Sequence, residues 1–356
     1  MKKRIFAGIL LVVVLLFGGL WLTGCKRQEK EPELTRYTAT FLEIFDTRTE
    51  IVGYGKSEEE FKAQAEQIKE KLQEYHQLFD IYNSYDGINN IKTINDNAGK
   101  EPVVVDQEII ALLKMSKDMY GRTEGQVNVA MGSVLSIWHN YREEGRDDPE
   151  NARLPKQEEL EKAALHTDIS QIIIDEEKST VFLADAQMSL DVGGIGKGYA
   201  VQKAAEYAKE TGMESGLISV GGNVCAIGTK LDGSMWKIGI QNPNLESEDT
   251  YADKVEAMDG CIVTSGDYQR YYTVDGVKYC HIIDPDTLMP ADYFASVTIL
   301  SKDSGMADTM STAVYNMPFD EGLDFVNGTS GVEAMWILKD GTIHYSEHFK
   351  TFFMEE

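Results

Sequence analysis

The sequence is poor in positive charge. Its 34 lysines and arginines face 59 aspartates and glutamates, so the formal net charge is −25 at pH 7. A surface of this sign repels a phosphate backbone, which argues against nucleic acid as a partner. Acidic surfaces also keep proteins soluble, so the charge by itself assigns no function. A phosphate ligand would have to be held through a metal ion or through local backbone amides.

Cysteine is scarce as well. The chain has four cysteines in 356 residues, and their spacing fits neither a zinc knuckle nor a CxxC redox pair. Without Cys25, which is discussed next, Cys225, Cys261 and Cys280 remain, and an odd number excludes a complete disulfide framework. Each lies in an apolar or strand-like stretch, so we expect buried, unreactive thiols. A hydrophobic content of 42% with 17 tyrosines fits an ordinary globular protein.

The first 25 residues read as an export signal. Three basic residues precede a nearly uncharged apolar run over 5–22, which ends in the letters LTGC at Cys25. Small residues before a cysteine, directly after an apolar run, resemble the lipobox of bacterial lipoproteins. The resemblance implies cleavage before Cys25, a lipid on its sulfur, and a cell-membrane location facing outside the cytoplasm. A retained anchor helix is the alternative, because the run reaches the lower limit for a membrane span.

We divide the chain into three parts. A lipoprotein signal peptide covers 1–24, and the lipidated cysteine with a polar tether covers 25–36. A single large domain covers 37–356. Its second half alternates short strand-like runs with helices and lacks a regular βαβ repeat, which favours an α+β domain of mixed or antiparallel sheets with flanking helices.

Local patterns predict individual elements of this domain. Apolar residues at helical spacing predict a helix over 57–80, and Ser57 with Glu60 forms a capping-box signal. Residues 83–99 are rich in Asn, Asp and Gly and read as a loop. Residues 143–156 are charged and carry two prolines, which predicts an excursion on the surface. Further helices are expected over 106–121, 131–142, 196–211, 305–316 and 320–326.

A glycine-rich segment, Asp191–Ala200, carries the sharpest chemical signal. We expect a strand that ends at Leu190, a tight turn, and a helix from about Gly196. Open backbone amides and a helix N-terminus favour phosphate, which Lys197 can reach as a point charge. The spacing fits neither a Walker A loop nor a Rossmann fingerprint. From the residues alone, a nucleotide phosphate loop and a plain tight turn both remain open.

Three later segments place polar groups at turns or on one helix face. The glycine pair in 221–223 is either a turn or a second loop that approaches the same ligand. His281 ends a strand, with Asp284 close by, and is either structural or a proton-transfer group. Asp308 and Thr312 share one helix face, either as hard oxygen ligands suited to Mg²⁺ or as a helix aspartate beside a threonine.

In this order the segments resemble the ApbE family of FAD:protein FMN transferases. The chain reads DVGGIGKGYA, SVGGN, TSGDYQR, HIIDPDTLMP and DTMST, where the family has DxGGxxKGxA, GGN, TSGxYxR, HIIDPxTxxP and DxxxT. Residues 125–132 resemble the family's GxFDxxxGP region, with Asn128 where Asp is usual and Ser133 where Pro is usual. The resemblance covers residues 37–345.

The resemblance implies a function and a set of site residues. The function is Mg²⁺-dependent transfer of FMN from FAD to a Thr or Ser hydroxyl of an extracytoplasmic acceptor flavoprotein, with release of AMP. Gly194, through its main-chain oxygen, Asp308 and Thr312 would bind the Mg²⁺, and His281 would accept the proton. Contacts to FAD are implied for Phe45, Tyr82, Gln126, Val127, Asn128, Asp191, Lys197 and Ile283. Two alternatives remain open: an FAD pyrophosphatase that yields FMN and AMP, and a lipoprotein that only holds flavin.

Overall fold

The computed structural model describes residues 33–354. The predicted signal peptide and the lipidated Cys25 lie outside this range. Arg36–Glu356 forms one compact unit. Within residues 33–354 no helix is long and apolar enough to cross a bilayer.

Helices and strands alternate irregularly along the described chain. The α-helices are α1 Glu58–Phe79, α2 Ile91–Asp96, α3 Gln107–Arg122, α4 Gly132–Asp147, α5 Gln157–Ala164, α6 Gly196–Glu210, α7 Ser304–Tyr315 and α8 Phe319–Asn327. The strands are β1 Thr35–Phe41, β2 Thr49–Gly55, β3 Val103–Val104, β4 Ile172–Asp175, β5 Thr180–Leu183, β6 Gly216–Val220, β7 Asn223–Ile227, β8 Trp236–Gln241, β9 Tyr251–Ala257, β10 Cys261–Gly266, β11 Tyr271–Val274, β12 Val277–Cys280, β13 Phe294–Ser301, β14 Val332–Leu338 and β15 Ile343–Tyr345.

One large sheet organises the domain. Its order is β1-β2-β6-β7-β10-β13-β14-β15, and the pairings from β2 to β15 are antiparallel. Three small sheets, β3-β5-β4, β8-β9 and β11-β12, lie outside it. Helices with antiparallel sheets confirm the predicted α+β class.

Alternation along the sheet strands divides the core between two faces. Val263 and Ile299 share a core with residues of α6 and α7 such as Ala204 and Met310. On the other face, the β8–β9 hairpin packs with Phe349 and Phe353 near the C-terminus. A strand has period two, so each sheet strand can supply both cores at once.

A satellite core lies around α4. Trp138 and Val134 of this helix pack with Tyr272 of β11 and with Leu160 of α5. Gly145 approaches β11 so closely that a Cβ on it would stand 2.6 Å from the Tyr272 ring. This packing fixes α4 against the β11–β12 hairpin, a relation that becomes important for the site.

Two local predictions for the N-terminal half need correction. The predicted loop over 83–99 contains α2, which is stabilised by a reciprocal capping box between Asn90 and Thr93. The predicted capping box of α1 is only half present. Ser57 Oγ accepts from Glu60 N, but the Glu60 carboxylate accepts from Lys56 N instead of from Ser57. The Asn-rich composition of 83–99 therefore led to the loop prediction, although one of these residues, Asn90, is the N-cap of α2.

Two further boundaries differ from the prediction. The strand expected to end at Leu190 is absent, because this stretch forms only one isolated bridge, between Ser189 and Met131. In place of a neighbouring strand, the side chain of Asn95 hydrogen bonds the backbone of Leu190. Its Oδ1 accepts from Leu190 N at 2.7 Å, and its Nδ2 donates to Leu190 O at 2.9 Å. Helix α4 continues to Asp147, so the exposed excursion begins later than residue 143.

The prediction of three free thiols was wrong for two of them. Cys225 of β7 and Cys261 of β10 are direct cross-strand partners with a Cα–Cα distance of 4.2 Å, and they form a disulfide. Strand pairing brings together cysteines that are 36 residues apart, which sequence spacing could not show. Cys280 is a free, buried thiol as expected, and burial raises its pKa.

Candidate active site

One cavity gathers the predicted site residues. It has a volume of about 560 Å³ and opens where loops from both halves of the domain meet. Gly221 and residues 264–266, at the ends of β6 and β10, contribute to its floor. All predicted residues of the domain line it: Phe45, Tyr82, Gln126, Val127, Asn128, Asp191, Gly194, Lys197, His281, Ile283, Asp308 and Thr312.

The first wall, here called the glycine-loop wall, consists of residues 191–198 together with Asp308 and Thr312. Asp191 N donates to Val129 O at 2.8 Å, and Gly193 N donates to the Asp191 carboxylate at 2.8 Å. Burial raises the pKa of Asp191, while the Gly193 hydrogen bond and nearby cationic groups act in the opposite direction. Asp191 thus orders the turn and also lines the cavity.

The helix that follows this turn begins against an acid. Gly198 N, in the first turn of α6, donates to Asp308 Oδ2 at 2.7 Å. A carboxylate at this position complements the positive end of the helix dipole. The N–H of Gly198 is therefore already hydrogen bonded, and an anionic ligand near it would be repelled by the carboxylate of Asp308. A cation between the two would remove this repulsion.

The oxygen set that such a cation requires is present. Asp308 is 4% exposed, and Thr312 Oγ1 lies 3.5 Å from where a Cβ on Gly194 would stand. The absence of a side chain at Gly194 keeps this space open. Within residues 33–354 no group of three His, Cys, Asp or Glu residues could hold a metal ion. One carboxylate, one hydroxyl and one carbonyl, completed by ligand phosphates and water, suit Mg²⁺ better than a soft metal.

His281 follows β12 directly and faces the same space. Its Nδ1 is buried and has no hydrogen-bond partner among residues 33–354. Burial, with the charges of Arg270, Arg142 and Lys197, lowers its pKa to about 3. Asp284, expected to support it, instead accepts from Asp286 N at 2.8 Å and organises its own turn. His281 is therefore a neutral imidazole at neutral pH, free to accept a proton.

Asn128 uses its amide in a way that the usual Asp could not. Its oxygen accepts from Ala130 N at 2.9 Å, and its Nδ2 donates to Thr167 O at 2.8 Å. A carboxylate cannot donate to a carbonyl. The substitution therefore connects the cavity segment to the chain after α5. Nearby, Asn316 Nδ2 lies 3.3 Å from Gln126 O and 3.4 Å from Ile283 O, which joins two predicted contact segments.

Two aromatic residues border the mouth. Phe45 adopts a left-handed backbone conformation with φ of 52° and donates its N–H to His76 Nδ1 at 3.2 Å. Tyr82 N donates to Asp80 Oδ1 at 2.6 Å, which holds the Tyr82 ring at the entrance. Burial and the charge of Asp191 raise the pKa of Tyr82 to about 12, so its phenol stays protonated.

A second part of the cavity lining, here called the arginine wall, was not predicted. It consists of His139 and Arg142 on α4 with Arg270 before β11, and all three line the cavity. Arg270 lies in the TSGDYQR segment, but no role was assigned to it. His139 and Arg142 stand three residues apart on one helix face, yet nothing local marks that face as part of a site. Only the packing of α4 on β11 reveals it.

Comparison with known proteins supports the resemblance. A family model described as the ApbE family matches residues 45–336. A Vibrio cholerae protein named FAD:protein FMN transferase is 27% identical over 96% of this chain and 98% of its own. One of the same name from Treponema pallidum is 32% identical over 72% of each chain. The crystal structure of the ApbE protein from Thermotoga maritima superposes with a TM-score of 0.78 at 32% identity, covering 90% of this chain and all of that one.

Fold, cavity and family model agree. The chain carries an α+β domain with one cavity that gathers the predicted site residues, and it belongs to the ApbE family.

Proposed function

We propose that this protein is an Mg²⁺-dependent FAD:protein FMN transferase. It moves FMN from FAD to a Thr or Ser hydroxyl of an acceptor flavoprotein and releases AMP. The observation that carries the proposal is the convergence, in one cavity, of the oxygen set Gly194, Asp308 and Thr312 with the neutral His281. The names of the related proteins point to the same activity.

Gly194, Asp308 and Thr312 would hold the metal. Mg²⁺ bound there would supply positive charge that neutralises the diphosphate and polarises its phosphorus. The chain's own part is to fix this oxygen set. Asp308 is oriented by Gly198 N, and Thr312 stands one turn further along α7. Positioning of this kind accounts for most of the catalysis in phosphoryl transfer.

His281 takes the proton of the acceptor hydroxyl. The hydroxyl oxygen bonds to the phosphorus on the riboflavin side, the bond from that phosphorus to the bridging oxygen breaks, and AMP leaves with that oxygen. Burial is the largest cause of the low pKa of His281, and the charges of Arg270, Arg142 and Lys197 add to it. A bound diphosphate would counter those charges and so raise the pKa, which makes a histidine a more effective base near neutral pH.

The protein acts outside the cytoplasm, attached to the cell membrane by a lipid on Cys25. The LTGC sequence supports this location. The Cys225–Cys261 disulfide supports it independently, because structural disulfides persist mainly in oxidising compartments.

Mass spectrometry tests the proposal. The full chain is incubated with FAD, MgCl₂ and an extracytoplasmic flavoprotein subunit that contains a modifiable Thr or Ser. We expect the acceptor to gain the mass of one FMN residue and AMP to appear in equal amount, and EDTA to prevent both. AMP formed at the same rate without acceptor would identify a pyrophosphatase. FAD binding without AMP under any condition would identify a flavin-holding lipoprotein.

A further inference from the structure

Three cationic side chains line the cavity of a strongly acidic chain, beside the four aspartates Asp46, Asp80, Asp191 and Asp308. The net charge is −25, yet Arg142, Lys197 and Arg270 all line one cavity. Lys197 belongs to the glycine loop, and Arg270 is exposed at the mouth. Arg142 differs from both because it is enclosed, and neither a motif nor the proposed function gives it a role.

The guanidinium of Arg142 is nearly buried without a strong carboxylate partner. Its side chain is 15% exposed. Its Nε approaches Glu143 at 3.3 Å, but that carboxylate belongs to the next residue and is 44% exposed. Its Nη2 lies 2.9 Å from His139 Nδ1. A guanidinium carries five donors, so most of them remain for a ligand in the cavity.

His139 holds Arg142 in this position. A guanidinium can only donate, so His139 Nδ1 must be the unprotonated nitrogen that accepts. Burial and the charge of Arg142 lower the pKa of His139, which keeps this nitrogen unprotonated. The His139 ring also lies 5.0 Å from the ring of Tyr82. The imidazole thus connects the aromatic entrance to the arginine.

The helix beneath these residues is fixed from both sides. Trp138 Nε1 donates to Leu288 O at 2.8 Å, and Gly145 packs against Tyr272. Because α4 cannot shift on the β11–β12 hairpin, Arg142 keeps its position relative to His281 at the end of β12. Arg142, His281 and Asp191 all line the one cavity. The charge of Arg142 acts to lower the pKa of both His281 and Asp191, although burial leaves that of Asp191 raised.

We propose that Arg142, oriented by His139, binds the diphosphate of the dinucleotide in the cavity that the glycine loop also lines. His139 is a positioning residue and Arg142 is the ligand contact. A planar fork facing two phosphate oxygens is the geometry in which arginine surpasses lysine. The inference rests on the proposed function, because it takes FAD as the ligand.

Ligand titrations of the full chain in MgCl₂ test this contact, with FAD and riboflavin as probes. Riboflavin lacks phosphate, so it reports the flavin pocket alone. We expect Arg142→Met to weaken FAD binding about 10- to 100-fold, as loss of charged hydrogen bonds does, and riboflavin binding less than about twofold. The FAD affinity of Arg142→Lys should lie between those of the unmodified chain and Arg142→Met, because lysine keeps the charge but lacks the planar guanidinium.

Matched variants separate this contact from general effects. Arg146→Met removes the same charge one turn along α4, from a side chain that is 60% exposed and also contacts Glu143, and it should leave both affinities unchanged. His139→Phe should weaken FAD binding, whereas His139→Asn should restore it because its Oδ1 can replace Nδ1 as the acceptor. Melting curves by circular dichroism confirm that each variant is folded.

Either of two results would overturn this inference and leave the proposed function standing. One is an unchanged FAD affinity in folded Arg142→Met or Arg142→Lys, and the other is an equal loss for FAD and riboflavin. If the unmodified chain failed to bind FAD, the proposed function would fail and this inference with it.

Discussion

The glycine-loop wall and the arginine wall line one cavity, but they are built in different ways. In the first, each part has a local signature: glycines at short spacing, then a lysine, and an Asp–Thr pair four residues apart on α7. In the second, the side chains come from a helix and a strand end whose contact depends on the packing of Gly145 and Tyr272. Chemistry that requires a fixed backbone leaves a motif, whereas a long side chain can reach a site from almost any helix.

The largest effect is expected on the glycine-loop wall. Asp308→Asn keeps an acceptor for Gly198 N but removes the charge offered to Mg²⁺. AMP formation at saturating MgCl₂ should fall about 1,000-fold, the upper end for loss of one electrostatic stabiliser. Asp324→Asn, on the exposed side of α8, should change nothing. Near-normal activity of Asp308→Asn would remove this wall from the proposed mechanism.

His281 lies between the walls and depends on both. His281→Gln retains size and polarity but cannot accept a proton at neutral pH. Turnover in the FMN transfer assay should fall about 100- to 1,000-fold, within the range of general base catalysis, while FAD affinity changes little. Full turnover with normal FAD binding would show that another group takes the proton.

The disulfide joins β7 to β10 beneath both walls. Replacing Cys225 and Cys261 with serine should lower the free energy of unfolding by roughly 4 kcal/mol, because a loop of 36 residues is no longer closed in the unfolded chain. Urea unfolding with and without dithiothreitol measures this difference. A curve that is insensitive to the reductant would contradict the bond.

A smaller change tests how the glycine-loop wall is joined to α7. Gly198→Ala places a Cβ against Ser304 O and Asp308 Cβ, both parts of a packed helix. We expect a loss of about 1–3 kcal/mol in the free energy of unfolding, measured in urea. Mg²⁺ should also bind more weakly, so that half-maximal activity requires a higher MgCl₂ concentration. Gly121→Ala, where a Cβ meets nothing within 4 Å, is the matched control and should be neutral or slightly stabilising.

The last prediction concerns pH. The pKa of His281 is about 3 in the folded chain and about 6.5 in an unfolded one. Between these values the unfolded state binds the extra proton, so the neutral histidine costs stability as the pH falls. In thermal melts without ligand, the melting temperature of His281→Gln should therefore rise relative to that of the unmodified chain as the pH falls from 6.5 to 4. A constant difference would show that His281 is not held neutral.

Local pattern predicted most of the fold. Amphipathic spacing predicted α1, and the glycine-rich segment after Leu190 predicted a helix from about Gly196, where α6 begins. Local pattern failed where a side chain distant in the sequence, rather than a neighbouring strand, satisfies the backbone. Asn95 satisfies the backbone of Leu190 in place of a neighbouring strand, and an Asn-rich stretch hid α2 because Asn also favours turns.

The sequence by itself determined the α+β pattern and the ordered motifs that mark the family, because each depends on residues close together in the chain. Only the tertiary structure decided that Cys225 bonds to Cys261, that Asp308 accepts from the first turn of α6, and that Arg142 lines the same cavity as the glycine loop. These depend on strand pairing and helix packing between residues tens of positions apart or more, and no local spacing records such contacts.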